Sequence, residues 1–192
     1  PHLYGIKGGH FRFINVLDEL NAPGQYYIDR KAARLYLWPP VESGKQLEDG
    51  TITLSMLDEP LVAMVGASHI ILQDITLEAG RGWGVYIERG KGNLVRGCTI
   101  RNFGTVGVCI GRDARPNPQL VHDAIYRRIG KLQSADREAG ENHGVTGCNI
   151  YACGTGGVSL GGGNRKTLKP AGNYVHNCHI HHFSRWTTSY HP

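Results

Sequence analysis

Four histidines crowd the C-terminal part of the chain: His176, His179, His181 and His182. His179 and His181 are two residues apart, so on a strand their imidazoles share one face. Such a pair holds zinc or a similar divalent ion when a neighbouring segment adds a third ligand. The positions one repeat earlier, Asn149 and Tyr151, are not usual zinc ligands. The reading adopted is therefore a polar strand with no metal, whose His179 and His181 contact sugar hydroxyls. A basic loop lies upstream, Asn164-Arg165-Lys166 with Lys169, and Arg185-Trp186 follow the histidines. No acidic residue occurs between Asn164 and Pro192. Fixed cations beside an aromatic ring suit a carboxylated or sulfated sugar, through charge-assisted hydrogen bonds and stacking. The same loop also reads as a solvated turn.

Carboxylates are scattered: Asp74, Glu78, Glu88, Asp113, Asp123, Asp136, Glu138 and Glu141. Glycoside hydrolysis needs two of them, roughly 5–10 Å apart across the scissile bond. Asp113 and Glu141 flank a long insertion and are the candidate catalytic pair by position. The competing reading has such residues capping turns or pairing with Arg112 and Arg115. Gly161-Gly162-Gly163 follows a strand, but no helix opens after it, which disfavours a phosphate cradle. There is no C-x-x-C motif.

These side chains must be positioned by something, and the sequence shows what. Lys91–Asp113, Glu141–Gly163 and Ala171–Pro192 are copies of one repeat, and Ser68–Gly90 is a weaker first copy. Cys98, Cys148 and Cys178 occupy one repeat position, held by Ile75 in the first copy. Two positions on stand Leu77, Ile100, Ile150 and Ile180. A second run opens with Gly84-Val85, Gly107-Val108 and Gly157-Val158. Alternation puts Cys and Ile on one side of a strand, and Thr99, Asn149 and His179 on the other. No copy can bury its apolar face alone, so the coils must stack, about 4.8 Å apart, into ladders of like side chains. The expectation is an all-β fold, a right-handed parallel β-helix, with the ladder cysteines buried and reduced.

The chain has 192 residues, a net charge of +5, 27 Gly and 9 Pro. That much glycine suits a fold made of corners. The charge is modest and no nucleic-acid module is present, so nucleic acid is not expected as a partner. No apolar run is long enough to cross a membrane, and the opening residues PHLYGIKGG lack the regions of a signal peptide. Residues 1–50 stand outside the repeat. Gln25–Asp29 and Arg34–Trp38 read as a hairpin, and Asn15–Leu20 as a short helical turn. The solenoid is expected over 51–192, with Thr51–Ser55 and Leu61–Val65 as strands of its first coil. Insertions at 114–140 and 164–170 both follow the second run of a copy, so they should leave from one corner. They would then wall a groove beside the outward residues. His122–Leu132 reads as a short helix within the first insertion. The repeat stops in mid-coil at Pro192, which reads as an N-terminal to middle fragment whose open edge would aggregate or pair end to end.

The segments NVLDELNAPGQYYIDRKAARLYLWPP, GGGNRKTLKPAGNYVHNCHIHHFSRW and TSYHP resemble bacterial right-handed β-helix repeat proteins, grouped with β-helix glycoside hydrolases of the fucosidase/xylanase and β-xylosidase type. The resemblance covers nearly the whole chain. It implies an exported protein, secreted, periplasmic or at the cell surface, acting on polysaccharide by acid/base hydrolysis without a cofactor. It also implies that the catalytic acids lie on later coils, so the remainder of the chain is itself a partner of this segment. The substrate contacts expected here are Arg165, Lys166, His179, His181, Arg185 and Trp186. Two other functions stay open: a polysaccharide lyase on a uronate-containing glycan, which the basic loop favours, and a noncatalytic glycan-binding or surface β-helix.

Overall fold

The computed structural model describes residues 13–40, 51–112, 137–164 and 166–185. Asp113, Arg165, Trp186, the expected helix 122–132 and most of the insertion at 114–140 lie outside the described residues. The chain divides into two compact units, Pro1–Ile52 and Thr53–Pro192.

In the first unit, a 3-10 turn (Leu17–Glu19) precedes a hairpin of β1 (Tyr26–Asp29) and β2 (Arg34–Leu37). The strands are antiparallel, with Tyr27 opposite Tyr36. Asp29 closes the turn by accepting from the N–H groups of Lys31 and Ala32, both at 3.0 Å. This is the local chemistry that makes Asp a turn residue. Asn15 clips the outer side of β1, donating to the Ile28 carbonyl at 3.0 Å and accepting its N–H at 2.7 Å. Hairpin and helical turn thus lie where the sequence places them.

The second unit is a right-handed parallel β-helix. Its strands are β3 (Val62–Val65), β4 (Ile71–Gln73), β5 (Thr76–Glu78), β6 (Val85–Glu88), β7 (Leu94–Arg96) and β8 (Thr99–Arg101). They continue as β9 (Val108–Ile110), β10 (Gly144–Thr146), β11 (Asn149–Tyr151), β12 (Val158–Leu160), β13 (Tyr174–His176) and β14 (His179–His181). Three parallel sheets result: sheet 1 (β4-β7-β10-β13), sheet 2 (β5-β8-β11-β14) and sheet 3 (β3-β6-β9-β12). Each coil runs through sheets 1, 2 and 3 and turns one corner back to sheet 1. The first coil departs from expectation, because Thr51–Ser55 is not a strand. That segment is tied to a corner instead of a sheet edge. Ser55 Oγ donates to the Ala79 carbonyl at 2.7 Å, and the Leu57 carbonyl accepts from Arg81 and Gly82.

The core is a bundle of columns running along the helix axis. Leu77, Ile100, Ile150 and Ile180 are register partners in sheet 2, as are Leu72, Val95, Val145 and Val175 in sheet 1. Ile87, Ile100, Ile110 and Ile150 are fully buried, each contributing roughly 1.5–3 kcal/mol relative to exposure. Sheet 3 opens on glycine for a steric reason. A Cβ on Gly107 would stand 2.6 Å from Ile150 Cγ2 and 2.9 Å from the Gly157 carbonyl, so the isoleucine of the next coil already fills that space.

Cys98 and Cys148 are buried in the ladder, while Cys178 is only half-buried. Ile75, at the other end of the column, is also partly exposed. Burial of all three cysteines was too strong an expectation, because a column is shielded only where it has a rung on both sides. The chemistry that selects cysteine repeats in each coil. The thiols of Cys98, Cys148 and Cys178 donate to the carbonyls of Arg96, Thr146 and His176, two residues back, at 3.3–3.4 Å. Burial pushes the Cys148 thiol up to about 11, so it stays protonated at neutral pH.

A polar ladder, Asn93, His143 and Asn173, runs along the corner between sheet 3 and sheet 1. Asn93 accepts from the Ile70 N–H at 3.0 Å and donates to the Ala67 carbonyl at 2.8 Å. Asn173 accepts from the His143 N–H at 2.8 Å and donates to the Gly161 carbonyl at 3.0 Å. Between them, His143 Nδ1 accepts from the Asn93 N–H at 3.0 Å while Nε2 faces the Arg89 carbonyl at 3.1 Å. This tautomer satisfies both contacts only when the ring is neutral. Burial accordingly holds the His143 pKa below its ordinary value. A base depressed in the folded state stabilises the fold fully above its unfolded pKa, about 6.5. That stability is lost as pH falls from there through the folded value. His143→Asn should therefore flatten the pH dependence of stability between pH 7.5 and 5 relative to the parent, as measured by urea unfolding. Equal acid sensitivity in the two proteins would remove His143 as its source.

Candidate functional site

The outward face of sheet 2 carries His179 and His181, two of the residues the sequence singled out. Alternation sends Leu77, Ile100, Ile150 and Ile180 inward, leaving two outward columns. One is Thr76, Thr99, Asn149 and His179; the other is Glu78, Arg101, Tyr151 and His181. Strand pairing thus places each histidine directly over its counterpart one coil earlier, about 4.8 Å away.

The second column is a connected chain. Arg101 grips Glu78 with Nε and Nη2, both at 2.6 Å, and donates from Nη1 to the Tyr151 hydroxyl at 3.0 Å. The Tyr151 bond and then the Glu78 bond raise the Arg101 pKa further. Tyr151 stacks flat on His181, with centroids 4.9 Å apart and planes 7° from parallel. His179 tilts against His181 at 4.2 Å, and His182 meets it edge-on at 4.9 Å. His181 Nε2 contacts Asn149 Oδ1 at 3.2 Å. Desolvation, then the neighbouring His179 and His182, hold the His181 pKa below its ordinary value. Beside this platform lies a shallow hollow lined by Tyr151, Ala152, His182, Phe183 and Arg185. His182 takes a left-handed backbone (φ 51°), as do Ala79, Asn102 and Ala152 at the same arch of earlier coils.

Together these groups offer a stacked pair of rings, amide and imidazole hydrogen bonds and a guanidinium beside a hollow. Among the described residues, no group of three or more His, Cys, Asp or Glu is arranged to hold a metal ion.

The other expected contacts lie elsewhere. The insertions at 114–140 and 164–170 follow β9 and β12, which are register partners, so they leave from the same corner. That corner joins sheet 3 to sheet 1, and sheet 2 is the side of the coil that does not border it. Lys166 sits in a turn closed by Asn164, whose Oδ1 accepts from its N–H at 2.9 Å. A second hollow at this corner is lined by residues including Gly162, Leu168 and Lys169, and it shares none with the first. The four expected contacts that are described thus fall on two parts of the coil. His179, His181 and Arg185 belong with sheet 2 and Lys166 with the insertion corner; Arg165 and Trp186 lie outside the described residues.

Glu141 is at the insertion corner too, paired with Lys169 at 3.0 Å. That bond holds its carboxyl below the usual range, the reverse of what a general acid needs. Its expected companion Asp113 is not described. A different carboxylate is buried nearby on the outer face of sheet 3. Glu88 accepts from the Tyr86 hydroxyl at 2.5 Å and pairs with Arg112 at 3.2 Å and Arg89 at 3.3 Å. Burial alone would raise its pKa, but Tyr86, Arg112 and Arg89 together hold it low. Arg112 also pairs with Glu138 at 2.8 Å, so this cluster ties together the two ends of the longer insertion. Pairing of such carboxylates with Arg112 is the structural role weighed from the sequence.

Sequence reasoning passed over Tyr151 and the corner ladder. The ladder had a signal in Gly92-Asn93, Asn142-His143 and Gly172-Asn173, three aligned dipeptides just before a strand. Compared with protein-family models, with curated proteins and with solved structures, the chain matches none.

Proposed function

We propose that this is a carbohydrate-active β-helix protein of the glycoside hydrolase kind, which holds a polysaccharide chain across the outward face of sheet 2. The observation that carries the reading is the Tyr151–His181 platform, a stacked pair of rings at 4.9 Å with Asn149 at its edge and a hollow beside it. A sugar ring presents an apolar face and a rim of hydroxyls, which match the ring faces and the amide and imidazole groups respectively. The resemblance of the NVLDELNAPGQYYIDRKAARLYLWPP and GGGNRKTLKPAGNYVHNCHIHHFSRW segments to β-helix glycoside hydrolases supports a hydrolytic role outside the cytoplasm. Hydrolysis itself requires two carboxylates flanking the bond. In sheet 2 the carboxylate is Glu78, which Arg101 occupies, so the described coils act in binding. The lyase reading drew on the basic loop, where Lys169 is neutralised by Glu141.

A screen of neutral and acidic oligosaccharides by calorimetry tests this. Tyr151→Ala should weaken binding of a hit by about 1 kcal/mol or more, roughly five- to tenfold, through loss of the stacking face. Tyr151→Phe, which keeps the ring, should retain most of the affinity. Unchanged affinity in Tyr151→Ala would place the glycan elsewhere.

A further inference from the structure

His181 and His182 face each other through ring nitrogens, and the His179 ring packs beside them. The neutral arrangement that satisfies the contacts has His181 Nε2–H donating to Asn149 Oδ1 at 3.2 Å. His181 Nδ1 is then an acceptor, and it faces His182 Nδ1 at 2.6 Å. One proton fits between those two nitrogens, carried by His182. A further proton on His182 goes to its outer Nε2 and leaves the contact intact. A proton on His181 Nδ1 sets two N–H groups head to head, which breaks the contact unless an anionic oxygen enters to accept from both.

We propose that His179, His181 and His182 form a proton-operated site for an acidic glycan, closed as a neutral imidazole pair at high pH and opened on acidification to bind a carboxylate or sulfate oxygen between His181 and His182. The proposal rests on the glycan-binding reading of sheet 2 and adds its regulation and ligand charge. The groups facing the pair are consistent with it. On the same strand the His179 ring lies 4.2 Å from that of His181. From β11 come the uncharged Tyr151 and Asn149. From β8 comes Arg101, bound to Tyr151 and to Glu78 of β5. Glu78 is the carboxylate of sheet 2, three strands from His181 and already paired, so no acid of this sheet neutralises the histidines. Arg185 lines the same hollow as His182 and adds a permanent positive charge. Desolvation, then the neighbouring His179 and His182, hold the His181 pKa below its ordinary value, which favours the closed, neutral pair.

Binding of polygalacturonate, dextran sulfate and neutral xylo-oligosaccharides should be measured with the purified protein at pH 8 and pH 5. Both acidic polymers should gain roughly tenfold or more at pH 5, the increment of an added charge-assisted hydrogen bond, while the neutral ligand should change little. If only one polymer gains, the anionic oxygen is assigned to that source, carboxylate or sulfate. His181→Gln and His182→Gln should each abolish most of the gain. His176→Gln, which removes an exposed histidine on sheet 1, should retain it. The chain has 10 histidines, so an equal fall in all three variants would assign the effect to net charge and overturn the proposal. Pronounced neutral-ligand binding with no gain for acidic polymers would also overturn it, leaving the glycan-binding reading in place. Binding of none of these ligands at either pH would remove both. Imidazole nitrogen shifts by NMR give a ligand-free readout at high pH: His181 should be the Nε2–H tautomer and His182 the Nδ1–H tautomer, and any other pair of tautomers would contradict the shared proton.

Discussion

Cys148→Asp is expected to destabilise the coil stack by roughly 3–5 kcal/mol, enough to unfold a marginal domain. Cys148 lies in the interior of the ladder, 2 % exposed, with Cys98 on one side and Cys178 on the other. Its thiol meets the Thr146 carbonyl at 3.4 Å and the Val95 carbonyl at 3.6 Å. A carboxylate there would be buried against two carbonyl oxygens, so it must either lose most of its water without an ion partner or take up a proton. Urea unfolding at pH 7 measures the loss. Thiol labelling of the native parent checks its premise: Cys178 should react readily, and Cys98, Cys148 and Cys153 slowly. A loss under about 1 kcal/mol, within the range of a surface substitution, would mean that the ladder does not face the core.

Ile150→Ala should cost about 2–5 kcal/mol, the range for emptying a packed aliphatic site. Ile150 is fully buried between Ile100 and Ile180 in its column, and it fills the space that glycine leaves at position 107. Ile180→Ala should cost markedly less, because Ile180 is half-buried on the last described rung and has a partner on one side only. In a solenoid, stability is close to a sum over neighbouring repeats, so the ordering of the two losses tests the stack as well as the site. Equal losses would contradict the column arrangement.

The repeat was legible because like side chains stack at a fixed interval. Cys98, Cys148 and Cys178, and Ile100, Ile150 and Ile180, each announce one rung, and pairing of Ile150 with Ile180 confirms the register read from the letters. The hairpin was legible from alternation about a short polar turn. The number of sheets per coil was less so. With strands of three residues, the run from Leu94 to Arg101 contains two strands separated by a bend at Gly97-Cys98. That bend decides which outward residues an insertion can reach. Both insertions follow strands of sheet 3, but the corner there borders two sheets of three, and His179 and His181 stand on the third. Tyr151 was hard to find for a related reason. Its neighbours Arg101 and His181 are each one coil away, so its role exists only in the stack. The corner ladder hid because it alternates Asn93, His143 and Asn173, different residues that satisfy the same backbone groups.

The central claim is that glycan lies on sheet 2 and away from the insertion corner. Chemical-shift mapping of the labelled protein with the tightest oligosaccharide from the screen tests it most directly. The account predicts that the largest shifts fall on Asn149, Tyr151, Ala152, His179, His181, His182 and Arg185, with Leu160–Ala171 little changed. Shifts concentrated at Gly162, Lys166 and Lys169 with sheet 2 unmoved would contradict it.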